Sequence, residues 1–413
     1  MVSLANHLAS LGVRVDVVCV RRRLHWRTTP THESIRVHAV KSLFFYYDAP
    51  HYTKLQRVRK AILRIPFVVL KPFVIDGSET ALWRVRRTVL RLVRRVRPDT
   101  VIVSSPPHSW QSITASLRGR SSATVRIVSD YRDPWLDRVS YQPRGAFAMY
   151  RARLAERRSF RMPHRITTVT TGLAAVFRAK YNNSNIYVVE NGYSDLPTLP
   201  TPDPTISALS ASCSSIAAKT RLVIGYFGSG IVSSSDFVTG KNLFPLLSLL
   251  NSPPLEDKVV LVCQGSISWN APRLQHLTNV LQLPTATQSQ VRANMQAVDV
   301  GIVLYTPVGD EHVVMGGKVY EYAGAKIPML VIAPRVEGAL LEFHKQNPSS
   351  VLFASIDNEQ EVRQALLDLW WEKERGLLKR RNWNPELSMR YSRENQNEKF
   401  CQILFDDSLQ LQP

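Results

Sequence analysis

Apolar positions along this chain follow two rhythms. Short, mainly apolar runs at residues 14–20, 100–104, 124–129, 165–169 and 186–189 read as strands. Between them, apolar residues spaced three and four apart predict helices over 3–11, 83–97, about 109–119, 144–161 and 172–180. Helix 83–97 is the clearest. Val85, Val89, Leu92, Val93 and Val96 share one face, while Arg84, Arg87, Arg91, Arg94 and Arg95 crowd the rest, and Pro98-Asp99 ends it. Gly12 closes the first helix as a C-cap.

Residues 194–220 break the rhythm. They are rich in Pro, Ser and Thr and carry no apolar period, which predicts an interdomain linker. The pattern then restarts, with strands expected at 221–227, 258–263, 299–304, 329–333 and 350–354. Helices are expected at 242–250, from 316 onward, and at 336–345, 358–373 and 388–408. Strand–helix alternation of this kind makes parallel, doubly wound sheets. The expectation is therefore an α/β chain of two Rossmann-like domains, 1–193 and 221–380, facing a cleft, with a helical segment at 381–413. The first helix starts at the first residue, with no strand and no glycine-rich loop ahead of it. A doubly wound sheet carries that first strand at its centre, so the N-terminal domain is expected to lack it and Met1 to be an internal start.

Length and composition agree with two folded domains: 413 residues, 44% hydrophobic and 21% charged. No run of eighteen apolar residues and no signal-like start occur. Cys19, Cys213, Cys263 and Cys401 are scattered without C-x-x-C spacing, which predicts reduced thiols of a cytoplasmic protein. Charge changes the picture more. Residues 1–195 hold 34 Lys and Arg against 12 acidic residues, and the rest of the chain holds 19 against 21. The whole excess of +20 therefore belongs to the N-terminal half, which points to a polyanionic partner: an anionic membrane surface, lipid phosphate or nucleic acid. The apolar run 61–75, flanked by Arg57, Arg59 and Lys60 and broken by Pro66 and Pro72, is too short to span a bilayer and suits its interface. A nucleic-acid role is disfavoured, because aromatics are not interleaved with the arginines and no recognition module appears.

Candidate chemistry concentrates in residues 315–334. Gly316 and Gly317 stand ahead of a short helix whose unpaired N–H groups and dipole suit a phosphate, with Lys318 beside them. Glu321 lies about one turn in, where its carboxylate suits two ribose hydroxyls. An ordinary strand–helix–strand turn with a solvated Glu and Lys fits this segment equally well. In the N-terminal half, His108 follows the strand at 100–104, where α/β sheets place ligand loops, and is a candidate to face a sugar or take an acceptor proton. Asp133 follows the next strand and is a candidate acceptor contact; bracing of its loop is the competing reading.

Four pieces in order carry a resemblance. They are Ser129-Asp130-Tyr131-Arg132-Asp133-Pro134-Trp135, then Val188-Val189-Glu190-Asn191-Gly192-Tyr193, then Gly225-Tyr226-Phe227-Gly228-Ser229-Gly230 with Gly240-Lys241-Asn242, and finally Gly317-Lys318-Val319-Tyr320-Glu321-Tyr322. Over nearly its full length the chain resembles the GT-B glycosyltransferases, within them the family 4 group of bacterial polysaccharide biosynthesis. The resemblance implies an enzyme of hexosyltransferase type on the cytoplasmic face of the membrane. It would move sugar from a nucleotide-diphosphate donor to a glycan or lipid-linked acceptor, with no nucleic-acid partner. It also implies that Glu321 binds the donor ribose and that Gly316 and Gly317 lie near the diphosphate. Lys241, placed after Gly228, would neutralise that diphosphate with help from Lys318. Fixed cations and helix N–H groups then replace a metal, so no cofactor is expected. One departure stands out: the glutamate that many retaining members carry eight positions before the residue matching Glu321 is Val313 here, with Glu311 and His312 nearby. The resemblance implies retention of configuration, which needs no protein base; an inverting enzyme would use Asp133 or His108. A sugar-nucleotide epimerase on the same fold would need more carboxylates around the sugar than this chain offers.

Overall fold

The computed structural model describes residues 1–20, 32–41, 73–76, 78–118, 125–137, 142–143, 145–193, 200–206, 221–233, 241–269, 277–305 and 314–406. Residues 57–72 of the basic and apolar stretch, most of the 194–220 linker, Cys213, Gly240, Glu311, His312 and Val313 lie outside the described residues. The chain forms two compact units, one of Met1–Glu190 with Asn397–Pro413, the other of Asn191–Gln396.

In the first unit, α1 (Val2–Ser10) leads to β1 (Val15–Val20), and β2 (Ile35–Val40) runs parallel to it. Then come α2 (Glu79–Val96), β3 (Thr100–Ser105), a 3-10 turn at His108–Ser112, α3 (Ile113–Arg118) and β4 (Arg126–Tyr131). The unit continues with α4 (Ala146–Ser159), β5 (Arg165–Thr168), α5 (Thr171–Tyr181) and β6 (Ile186–Val188). Strands β3, β4, β5 and β6 form one parallel sheet in that order. Among the described residues no ladder joins β1 to β3, so the β1–β2 pair stands as a separate sheet. Shared cores tie the two sheets together instead. Leu4 and Leu8 of α1 pack with Val15, Ile102 and Val128, while Ala81 and Val85 of α2 pack with Val18, Val40 and Ile127. Each such buried Leu or Val contributes about 1.5–3 kcal/mol.

The second unit contains β7 (Leu222–Phe227), β8 (Gly230–Val232), α6 (Phe244–Leu250), β9 (Val259–Gln264), β10 (Ile267–Trp269), β11 (Val280–Leu283) and α7 (Gln288–Gln296). It continues through β12 (Val300–Leu304), α8 (Gly317–Ala325), β13 (Met329–Ala333), α9 (Gly338–Gln346), β14 (Val351–Ser355), α10 (Glu359–Glu374) and α11 (Pro385–Arg390), and ends within α12 (Arg393–Phe405), most of which belongs to the first unit. Its six-stranded sheet is parallel throughout, in the order β11-β9-β7-β12-β13-β14. Strands β7, β9, β12 and β13 are buried at every position, because helices cover both faces of a parallel sheet. The chain winds outward from β7 to β11 and then returns to β12 beside β7. That reversal is a topological switch point, the place where such sheets open a ligand crevice beyond the strand ends.

Helix α12 crosses the boundary between the units at Gln396 and Asn397. Phe400, Ile403 and Leu404 join the core around Leu4 and Leu8, and the buried Arg165 donates to the carbonyls of Ile403 and Asp406. Among the described residues no helix is long and apolar enough to cross a membrane. Cys19, Cys263 and Cys401 are free thiols. Burial pushes Cys263 up to about 12, so it is an inert core residue.

Candidate functional site

The switch point collects the donor-site residues expected from the sequence. Strand β7 ends at Phe227 and hands over to Gly228, and β12 ends at Leu304 beside Tyr305. The Tyr305 hydroxyl accepts the Gly316 N–H at 3.0 Å, which pins the residue that caps α8 next to the end of β12. From the other side, the Lys318 side chain passes 3.9 Å from where a Cβ on Gly228 would sit. A Cβ on Gly317 would meet nothing within 4 Å, so the first turn of α8 faces open space.

One turn into α8, Lys318 Nζ lies 3.2 Å from Glu321 Oε2. Both side chains are partly exposed, so cation and carboxylate stand together at the mouth of the switch point. Lys241 follows a segment outside the described residues, and its backbone runs along β8: the Ile231 N–H donates to the Lys241 carbonyl at 2.9 Å. The structure thus brings Gly228, Gly316, Gly317, Lys318 and Glu321 to one place, with Lys241 entering at the adjoining β8.

The helix is anchored from behind. Tyr322 is fully buried; its hydroxyl donates to the Gly225 carbonyl at 3.0 Å, lies 3.2 Å from the Ile302 carbonyl and accepts the Phe227 N–H at 3.4 Å. Burial drives its pKa far above the ordinary tyrosine value, so it stays a neutral clamp between β7 and β12. Its ring occupies the space a side chain on Gly301 would need, the nearest ring carbon lying 2.7 Å from a Cβ there.

In the first unit, His108 and Asp133 follow the C-terminal ends of neighbouring strands β3 and β4. His108 is only 3% exposed; its ring stacks on Trp135 with centroids 5.5 Å apart and on Tyr131 at 6.4 Å. Asp133 is half-buried. Two carboxylates that the sequence reading passed over hold this region. Asp130, 1% exposed, accepts from Ser104 Oγ at 2.7 Å, Thr167 Oγ1 at 2.9 Å and Arg132 Nε at 3.0 Å, locking the ends of three strands. Asp76 accepts both the N–H and the hydroxyl of Ser109 at 2.8 Å, fixing the turn that carries His108. Burial raises the Asp76 pKa above the ordinary carboxylate value, with the Ser109 and Ser78 bonds opposing it. A polar residue inside an apolar strand, as Asp130 is, was the signal available. Tyr305 carried a weaker one, its place directly after the run 300–304. Among the described residues no three His, Cys, Asp or Glu side chains cluster as a metal site requires.

Residues 1–192 match the glycosyl transferase 4-like domain family. No curated protein sequence matches the chain. Among solved structures, sucrose-phosphate synthase from Thermosynechococcus elongatus aligns with a TM-score of 0.59 at 10% identity, over 97% of this chain and 90% of its own. The UDP-forming trehalose-phosphate synthase from Burkholderia xenovorans in complex with glucose-6-phosphate gives 0.53 at 14% identity, over 94% and 90%. The glycotransferase of kitacinnamycin gives 0.52 at 12% identity, over 98% and 95%. Residues 1–192 are thus similar to the glycosyl transferase 4-like domain family, and the chain has the GT-B fold.

Proposed function

We propose that this protein is a glycosyltransferase that moves a sugar from a nucleoside-diphosphate donor to a glycan or lipid-linked acceptor, with retention of configuration and without a metal, in bacterial cell-surface polysaccharide synthesis. The observation that carries the reading is the convergence of Gly228, Gly317, Lys318 and Glu321 at the switch point between β7 and β12. A nucleoside diphosphate has two recognisable ends, and this site offers chemistry for both. The N–H groups at the α8 tip, Lys318 and Lys241 suit the diphosphate, whose negative charge grows as the sugar bond breaks. The Glu321 carboxylate suits the two ribose hydroxyls, and a ribose there releases Lys318 to turn toward phosphate. The Burkholderia xenovorans enzyme of similar fold is UDP-forming, which supports a nucleoside diphosphate as the leaving group.

In a retaining reaction the departing phosphate accepts the proton of the acceptor hydroxyl, and no enzymic base is needed. Asp133, the more accessible of the two N-terminal candidates, is then an acceptor contact. His108, stacked on Trp135, shapes the loop that presents it. The concentration of cations in residues 1–195 supports a peripheral station on the inner face of the membrane, where lipid-linked acceptors reside. The test is a calorimetric panel of UDP, GDP, dTDP, ADP and CMP on the full chain and on Glu321→Ala. Selective binding of one nucleotide that the variant loses supports the reading and names the donor class. A folded protein that binds none of the five removes the donor site.

A further inference from the structure

The first unit carries a basic site remote in sequence from the candidate donor residues. A cavity of about 530 Å³ opens between β2 and α2, lined by His38, Trp83, Arg84, Arg87, Thr88 and Arg91. Trp83, Arg87 and Arg91 repeat every four residues, about 6 Å apart along the axis, so one side of the helix carries a ring and two cations. Two of the lining arginines are held in place. Arg84 donates to the Lys41 carbonyl at 3.1 Å, and the Arg87 guanidinium sits 5.5 Å from the centre of the Trp83 ring. Across the groove, His38 Nε2 is 2.7 Å from Asp16 Oδ1. The one carboxylate of α2, Glu79, is taken by Arg151. Arg87 and Arg91 therefore face the groove with no acidic residue of their own helix to neutralise them.

Exposed aromatics stand at the start of the same helix. Trp83 is 65% exposed, an unusual state for an indole. Phe73, Phe147 and Tyr150 are exposed too, and Phe73 and Phe147 meet edge to face at 6.5 Å. Arg151 ties these aromatics to α2, donating to the Phe73 carbonyl at 2.8 Å while it pairs with Glu79. A soluble phosphate would need the arginines and not the aromatics. A nucleic acid would need bases stacked on aromatics spaced among the cations, whereas these gather around the start of α2. Aromatic rings beside arginines match the interface of an anionic bilayer, where rings enter the acyl boundary and guanidinium groups meet headgroup phosphate.

We propose that the β2–α2 groove seats the phosphate of an anionic lipid headgroup, with Trp83 entering the bilayer interface beside it. This rests on the peripheral membrane reading given above and assigns it a place on the protein. The experiment is flotation of the full chain with vesicles of phosphatidylcholine, with and without phosphatidylglycerol, at physiological salt. It compares wild type, Arg87→Ala/Arg91→Ala and Trp83→Ser. Wild type floats with the anionic vesicles alone. The double variant binds them roughly thirty-fold more weakly, the expectation for two lost surface arginines. Trp83→Ser also loses affinity, whereas nucleotide binding and thermal unfolding are unchanged in all three proteins. If the variants float as wild type does, membrane binding stands and the groove assignment falls. If wild type floats with neither vesicle, both fall. Binding of inorganic phosphate or of an oligonucleotide by wild type but not the double variant, with no flotation, overturns the proposal in favour of that ligand.

Discussion

Lys318 and Glu321 hold each other across one turn of α8, Nζ to Oε2 at 3.2 Å, at the point where β7 and β12 diverge. An exposed pair of this kind is worth about 0–1 kcal/mol, too little to matter to the fold. Its consequence lies in orientation: the carboxylate is fixed in place before a ligand arrives. Glu321→Ala is expected to leave unfolding within about 0.5 kcal/mol of wild type. It should weaken nucleoside-diphosphate binding about 10- to 100-fold, the loss of a hydrogen bond to a charged group worth roughly 1.5–3 kcal/mol. Titration calorimetry reads both partners, and equal affinity in wild type and variant would remove Glu321 from the site.

Glycines separate site from scaffold in the same helix. Gly317→Ala places a methyl in open space at the first helical position, where alanine is the better helix former by up to about 1 kcal/mol. The protein should be as stable as wild type or slightly more so, yet bind nucleotide less well, because the methyl blocks close approach to the α8 tip. Gly301→Ala drives a methyl to 2.7 Å from the Tyr322 ring, which its hydroxyl bonds hold in place. Overpacking of that kind costs about 1–3 kcal/mol. Chemical denaturation with parallel nucleotide titration distinguishes the two; a Gly317→Ala protein with unchanged affinity would show that phosphate does not approach this residue.

The second-unit sheet was legible because its strands are buried on both faces and so appear as unbroken apolar runs, as at 222–227 and 329–333. Strand β2 was missed, although Ile35, Val37 and Ala39 alternate with Arg36 and His38. Alternation over six residues is a weak signal beside an apolar run. Helix α7 was missed because Gln288–Gln296 has only Val291, Ala293 and Met295 to mark a face. Helix α2 begins at Glu79, four residues before the predicted start, since Ala81 and Leu82 extend its apolar stripe. At the site, residue types at fixed spacing announced the α8 tip. The clamps Asp76, Asp130 and Tyr305 act through partners 11–37 positions away, and no local spacing reports such bonds.

Arg165 is expected to be a stability residue of the first unit. It is buried, and its guanidinium serves the carbonyls of Ile403 and Asp406 at the end of α12. Arg165→Met keeps the volume but leaves those acceptors without this donor, at about 1–3 kcal/mol for each one left unsatisfied. Hydrogen exchange should then show α12 opening from Asn397 onward before the second-unit sheet does. Uniform protection in wild type and variant would mean that the apolar contacts of Phe400, Ile403 and Leu404 suffice without it.

His164 adds a pH dependence to the first unit. Its Nδ1 accepts the Ile127 N–H at 3.0 Å, which requires a neutral ring. Burial first, then the charges of Arg118, Arg126 and Arg165, hold its pKa below the ordinary histidine value. As pH falls, the unfolded chain therefore takes up its proton first, near pH 6.5, while the folded protein resists. Stability from this group is complete above that value and declines as pH drops through it toward the lower folded pKa. Solvent around the ring keeps the effect small. His164→Asn, whose side-chain oxygen can take over the Ile127 bond without titrating, should flatten the decline. Urea unfolding at about pH 8 and about pH 5.5 checks this; an identical loss of stability in wild type and variant would place the proton elsewhere.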